Sequence, residues 1–348
     1  MKKIFLVLLL LLFFNSLFAQ EKTDSLVFNS LIETGIEYHD QRQYEKAIEM
    51  YEQALKIYPE SPLAHYEIAL TYMEMKEYEK TIEHSDIVIK QAGKYLLPAY
   101  IAKGSSLDYL GRMGESIALF EDGIEKFGGH YLLYYNLGVD YYNISNNVKA
   151  EEAFINAIKT NVNHTSSHML LGTIKSEQKQ RVQSLLCLYY FLFLEPNTSR
   201  SVQGYALLQN QLRGNVQVNE ENPSSINVNV FMNPDEQDSG FGAADLMISM
   251  IEASNHTLEE NKNKTAEELF IESTKSFLLI LGELNENEDR EESIWWDFYV
   301  PFLYEIAKSE HLDTFCYYIS QSSSENAAEW IAKNESRLDA FDSWLSKE

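Results

Sequence analysis

Between Phe28 and Thr198 the apolar side chains return at the spacing of an amphipathic helix, while small and aromatic residues return at a longer, fixed interval. Gly35, Tyr38, Ala47, Tyr51 and Ala54, with Pro59 beyond them, are matched by Gly138, Tyr141, Ala150, Phe154 and Ala157 at the same internal spacing. The frame predicts five helix-turn-helix units beginning at Phe28, Pro62, Leu97, Tyr131 and Thr165, the second lengthened by one residue. The second helix of the fifth unit, Val182 to Leu194, is bulky and aromatic and departs furthest from the pattern, which suggests a packing surface. Beyond it, Ser201 to Leu212 predicts one further helix that caps the stack. Ile226, Val228, Val230 and Met232 alternate with Asn and Ser, predicting a short strand or extended segment within Asn219 to Asn233. An exposed loop, Pro234 to Gly242, then leads to helices over 243–253 and 265–284 and to an aromatic block, Ile294 to Tyr304, in which Pro301 should kink or end the helix. Residues 313–320, 328–331 and a last helix at 336–345 complete a helical core.

The five units resemble the tetratricopeptide repeat, whose unit of 34 residues places a small residue and an aromatic in its first helix, Ala and an aromatic in its second, and Pro at the exit. The resemblance implies an all-α fold: a right-handed α-solenoid of helix-turn-helix repeats, followed here by a mainly helical C-terminal domain with one short extended segment. Small residues let paired helices approach, and the aromatic and Leu positions fill the gap between neighbouring units. The implied organisation is a signal peptide at 1–19, a short segment at 20–27, repeats at 28–198, a capping helix at 199–213 and an acidic, aromatic-rich helical domain at 214–348.

In this family partners dock on the concave face lined by first helices. Carried onto this chain, the lining positions are Asn29, Ile32, Ile36 and His39; Leu63, Tyr66, Leu70 and Met73; Ile101, Ser105, Asp108 and Tyr109; Leu132, Tyr135, Val139, Tyr142 and Asn143; and Ser166, Met169, Thr173 and Glu177. None is Lys or Arg, so a clamp for a terminal carboxylate is not expected, and an apolar or basic peptide fits better. Tyr135 and Tyr142 head the candidates because Tyr offers a large contact area at low entropic cost. Tyr, Leu and Met at helical spacing equally suit packing against the protein's own C-terminal half. Trp295 and Trp296 form a secondary candidate surface, since neighbours on a helix point about 100° apart and cannot both face one core.

Charge sharpens the division. The chain carries 28 basic and 53 acidic residues in 348, a net charge of −25, which excludes an ordinary phosphate-binding, nucleic-acid protein. Residues 199–348 alone carry a net −18, against −9 for residues 20–198. Met1-Lys2-Lys3, an apolar run to Phe14, and Asn15, Ser16 and Ala19 predict a secretory signal peptide cleaved near Ala19. The expected location is therefore the periplasm or cell envelope, with no membrane insertion after cleavage; the competing expectation is an uncleaved anchor.

Candidate chemistry is sparse. The sequence holds no zinc-protease, nucleophile-elbow, phosphate-loop or Cys-x-x-Cys signature, so neither catalysis nor a cofactor is expected. His164 and His168 lie four apart but lack a third ligand, and surface polarity is the expectation for them rather than metal. Cys187 and Cys316 could pair in an oxidising compartment, though separate burial is favoured. Together these features predict a non-catalytic envelope scaffold for a protein partner of unstated identity, with self-association through repeat ends as a further option. The alternative is an enzyme or small-molecule sensor with a pocket near Trp295, Trp296 or His311. A third option makes the C-terminal domain a plug for the groove.

Overall fold

The computed structural model describes residues 2–214, 216–218, 226–228, 240–286 and 292–347, with residues 2–19 as backbone only. Val230, Met232 and most of the Pro234–Gly242 loop lie outside the described residues. Among those described, α1 (Lys2–Asp40) pairs with α2 (Tyr44–Ile57), α3 (Pro62–Glu74) with α4 (Tyr78–Gln91), and α5 (Leu96–Tyr109) with α6 (Met113–Phe127). They are followed by α7 (Tyr131–Asn143), α8 (Asn147–Thr160), α9 (Thr165–Glu177) and α10 (Arg181–Leu194). The chain divides into two compact units, residues 1–153 and 154–348.

One helix stop recurs five times. Arg42, Lys76, Gly111, Ser145 and Lys179 all sit in the left-handed region, with φ of 60°, 61°, 74°, 60° and 60°. The next residue's N–H donates back to the carbonyl five residues earlier: Gln43 to Tyr38, Glu77 to Tyr72, Arg112 to Leu107, Asn146 to Tyr141 and Gln180 to Lys175, all at 2.8–2.9 Å. These are the bonds of a Schellman turn, which satisfies orphan carbonyls at a helix end. Four of the five left-handed residues carry a side chain, so the surrounding helix pair imposes the turn.

In the first unit the helices of a pair nearly touch. A methyl group added to Gly35 would overlap the ring of Tyr51, and one on Gly104 the ring of Phe120. Phe28, Ile32, Ala47, Tyr51, Ala54 and Ile68 build the core at this end. Ile32 is only 4% exposed, so this proposed groove residue belongs to the core instead: its face of α1 turns toward α2 and α3. Lys46, Lys80 and Lys149 each lie over the ring of Tyr38, Tyr72 and Tyr141, at 5.4, 4.8 and 4.8 Å from its centre.

The second unit is built around α10, buried at every position from Arg181 to Leu192. A helix apolar on all sides must be covered on all sides. Its neighbours are α9, α11 (Ser199–Arg213), α12 (Gly242–Thr257), α15 (Leu312–Ser320) and a π turn at Trp295–Tyr299. Helices α13 (Ala266–Asn285), α14 (Val300–Lys308), α16 (Glu325–Lys333) and α17 (Glu335–Leu345) complete it. Capping boxes start α11 at Thr198 and α13 at Thr265. Pro301 does not end the helix: it lies in α14, which follows the π turn directly, and Asn285 Nδ2 donates to the Trp296 carbonyl of that turn at 3.2 Å. The expected single extended segment is two short strands, β1 (Val216–Val218) and β2 (Ile226–Val228), paired antiparallel with Gln217 opposite Asn227.

Candidate protein-binding face

In the first unit α3 lies against α1 and α5, and α5 against α7, so the first helices present one face. Tyr66, Leu70, Met73, Ile101, Asp108, Tyr135, Val139 and Tyr142 are half-buried on it, and Ile36 and Asn143 are exposed. Tyr109 is 63% exposed while its ring stacks on Tyr78 at 4.8 Å, and Tyr66 stacks on Tyr95 at 5.1 Å. Polar groups tie neighbouring first helices together. His39 Nδ1 meets Thr71 Oγ1 at 2.9 Å, Ser105 Oγ donates to Asn136 Oδ1 at 3.4 Å, and Asn143 Nδ2 donates to Asp108 Oδ1 at 3.2 Å. Met169 and Thr173 lie half-buried on α9, in the second unit, where Thr173 Oγ1 donates to the Met169 carbonyl. The structure thus gathers the candidates from α3, α5 and α7 into one face; Met169 and Thr173 belong to the second unit.

The electrostatics of this face rest on residues the lining positions did not include. Asp140 is 1% exposed and one of its carboxylate oxygens has no hydrogen-bond partner. Burial, with the charge of Asp108 added, pushes its carboxyl up to about 7, against the lowering effect of the Ser116 hydroxyl. Glu67 is raised by burial and then by Asp40. The available signal was an acid inside the apolar stretch from Leu137 to Tyr142.

The second unit contains the other polar cluster. His168 is fully buried, which corrects the expectation of surface polarity for the His164–His168 pair. Its Nε2 lies 2.7 Å from the Val162 carbonyl, which can only accept, so Nδ1 accepts from the Tyr299 hydroxyl at 2.6 Å. The Cys187 thiol donates to the same hydroxyl at 3.6 Å. Burial lowers His168 to about 4 and raises Tyr299, so the chain of bonds is neutral. Both cysteines are buried and neither is in a disulfide.

Trp295 and Trp296, at 7% and 5% exposure, are not an open surface. Trp296 stacks on Phe241 at 4.2 Å; Trp295 stacks on Tyr299 at 5.5 Å with the Lys175 ammonium 5.5 Å over its ring. Both sides of the turn are covered, so two adjacent indoles are buried against different partners. His311 packs against Phe341 and Trp344. Among the described residues no group of three or more His, Cys, Asp or Glu could hold a metal ion, and no helix is long and apolar enough to cross a membrane.

Residues 35–76 match the family model described as the TPR repeat. That segment carries the tetratricopeptide repeat. The Hsp70-Hsp90 organising protein of Plasmodium falciparum (isolate 3D7) is 37% identical over 49 residues; the match covers 14% of this chain and only 9% of that relative's length. Among solved structures, a thermophilic TPR protein of Thermus thermophilus aligns at 17% identity and a TM-score of 0.45, over 52% of this chain and 99% of that one. The pilF product of Pseudomonas aeruginosa aligns at 16% identity and 0.47, over 54% and 90%.

Proposed function

We propose that this TPR protein is a non-catalytic protein–protein interaction scaffold of the cell envelope, binding an apolar or basic peptide segment on the first-helix face of residues 1–153. The supporting observation is that this face holds Tyr66, Leu70, Ile101, Tyr109, Tyr135 and Tyr142 partly open, although the same unit has a separate buried core. Half-open tyrosines and aliphatics without Lys or Arg suit a partner that buries apolar surface. The local likeness to a protein named for organising two others supports the same reading. The export part rests on the basic start and apolar run of residues 1–19.

The test is affinity capture with crosslinking in the cell envelope of the source organism, beside a Tyr135→Ala, Tyr142→Ala double variant of unchanged helicity. A defined protein should come down with the parent and be lost with the variant. Capture by both would move the site away from this face, and recovery of the protein from cytosol alone would overturn the location.

A further inference from the structure

The first-helix face carries acid that the protein does not neutralise. Asp108 on α5 holds its carboxylate toward α7, where Asn143 Nδ2 donates to it at 3.2 Å. The buried Asp140, also on α7, leaves one carboxylate oxygen without a hydrogen-bond partner, and the charge of Asp108 helps to raise it. On α1 and α3, Glu67 is raised by burial and then by the charge of Asp40. Three cations of the first unit are engaged elsewhere: Lys80 with Glu77, Lys103 with Asp86, and Arg112 with Glu79 and Glu115. Among the described residues none of these ion pairs includes Asp40, Glu67, Asp108 or Asp140.

A carboxylate without an ion-pair partner beside apolar surface is complementary to one kind of side chain, a cation on an aliphatic stem. We propose that the partner segment presents a Lys or Arg to the Asp108–Asp140 pair, with its stem against Tyr109 and Tyr142 and its apolar neighbours on Leu70 and Ile101. Asp108, half-exposed, makes the contact; Asp140 behind it, with its carboxyl pushed up to about 7, adds its field as it ionises beside the incoming cation. Asn143 holds the Asp108 carboxylate in place and accounts for one of its lone pairs, leaving the rest for the incoming cation. The inference rests on the proposed use of this face and adds the charge that the occupant must carry.

The test is selection of displayed random short peptides on the full chain, followed by fluorescence anisotropy with the recovered sequences. Recovered peptides should be apolar with a recurring Lys or Arg, and Asp108→Asn should weaken them roughly tenfold, the scale of one lost charge-assisted contact. Asp108→Glu should keep the preference, and Asp108→Lys should favour peptides with Glu in place of the cation; far-UV circular dichroism checks that each variant folds. Peptides that depend on Tyr135 and Tyr142 but show no cation preference and ignore Asp108→Asn would overturn the inference and leave the proposed function standing. Recovery of no peptide, or of peptides indifferent to both tyrosines, would overturn the proposed function and this inference with it.

Discussion

The second and fifth repeats place a histidine at the same position of the first helix and use it differently. His65 Nε2 donates to the Pro59 carbonyl at 3.0 Å, as His168 Nε2 does to Val162 at 2.7 Å. In the second repeat the other nitrogen accepts from His84 Nδ1 at 2.9 Å, a partner from the same helical pair. In the fifth, the residue at the place of His84 is Cys187, and the hydroxyl of Tyr299 supplies the bond. A parallel exchange occurs at the turn. Lysines lie over Tyr38, Tyr72 and Tyr141, whereas in the fifth repeat the lysine itself, Lys175, stands at the tyrosine's place and a Trp from the C-terminal helices lies beneath it. The same local grammar can therefore be completed from within a repeat or from more than a hundred residues away, and only the first case leaves a repeat self-contained.

The strongest way to break this comparison is to remove the distant partner. Tyr299→Ala should cost about 4 kcal/mol, as for other fully buried aromatics cut to Ala, because ring contacts and the bond to His168 go together. Hydrogen exchange should then rise across α9, α10 and α14, whereas His84→Ala should raise it only in α3 and α4. Equal spreading in both variants would erase the distinction.

Asp140 tests the first-helix face. Its folded carboxyl titrates at about 7 against an ordinary value near 4, so the native state keeps a proton that the unfolded state has lost. The contribution of Asp140 to stability should fall as pH rises from about 4 to about 7 and then level, by at most about 4 kcal/mol at 1.36 kcal/mol per pKa unit. Burial lowers His84 and His168 to about 4, which makes their contribution rise over the same range, so the quantity to measure is the difference between urea titrations of the parent and of Asp140→Asn; the variant should gain stability relative to the parent as pH rises to 7. A difference of opposite sign would mean that Asp140 has a cationic partner.

Two smaller effects sharpen the picture. Tyr299→Phe should cost about 1–2 kcal/mol, the penalty of leaving buried His168 Nδ1 without a donor. Lys76→Gly, at a left-handed φ of 61°, should stabilise by about 0.5–1 kcal/mol, since a side chain there is disfavoured. A loss on Lys76→Gly would show that unfolded-chain entropy outweighs the strain.

Much of the solenoid was legible in the sequence because its rules act within one pair of helices. Gly35 against Tyr51 and Gly104 against Phe120 are contacts of fixed sequence separation, and the apolar bulk of Val182–Leu194 announces a helix covered on all sides. The candidate face was legible as a set of positions, but not its interior edge: Ile32 and Asp140 are separated from exposed neighbours by less than one helical turn, and their burial depends on where α2 and α6 come to rest. The burial of Trp295 and Trp296 was illegible for the same reason, since helical angles allow for one core and the structure supplies two coverings, Phe241 and Tyr299.

By itself, then, the sequence determined the repeat register, the helical pairs, the acidic imbalance and the absence of basic residues along the proposed face, all properties carried by short-range spacing or by composition. Only the tertiary structure decided that His168 is buried on Tyr299, that the two tryptophans are internal, and that Asp140 keeps an unpartnered oxygen beside Asp108. The reason is physical: burial and the field at a carboxylate are set by whichever atoms surround a side chain, and those atoms come from helices whose separation along the chain no local period records.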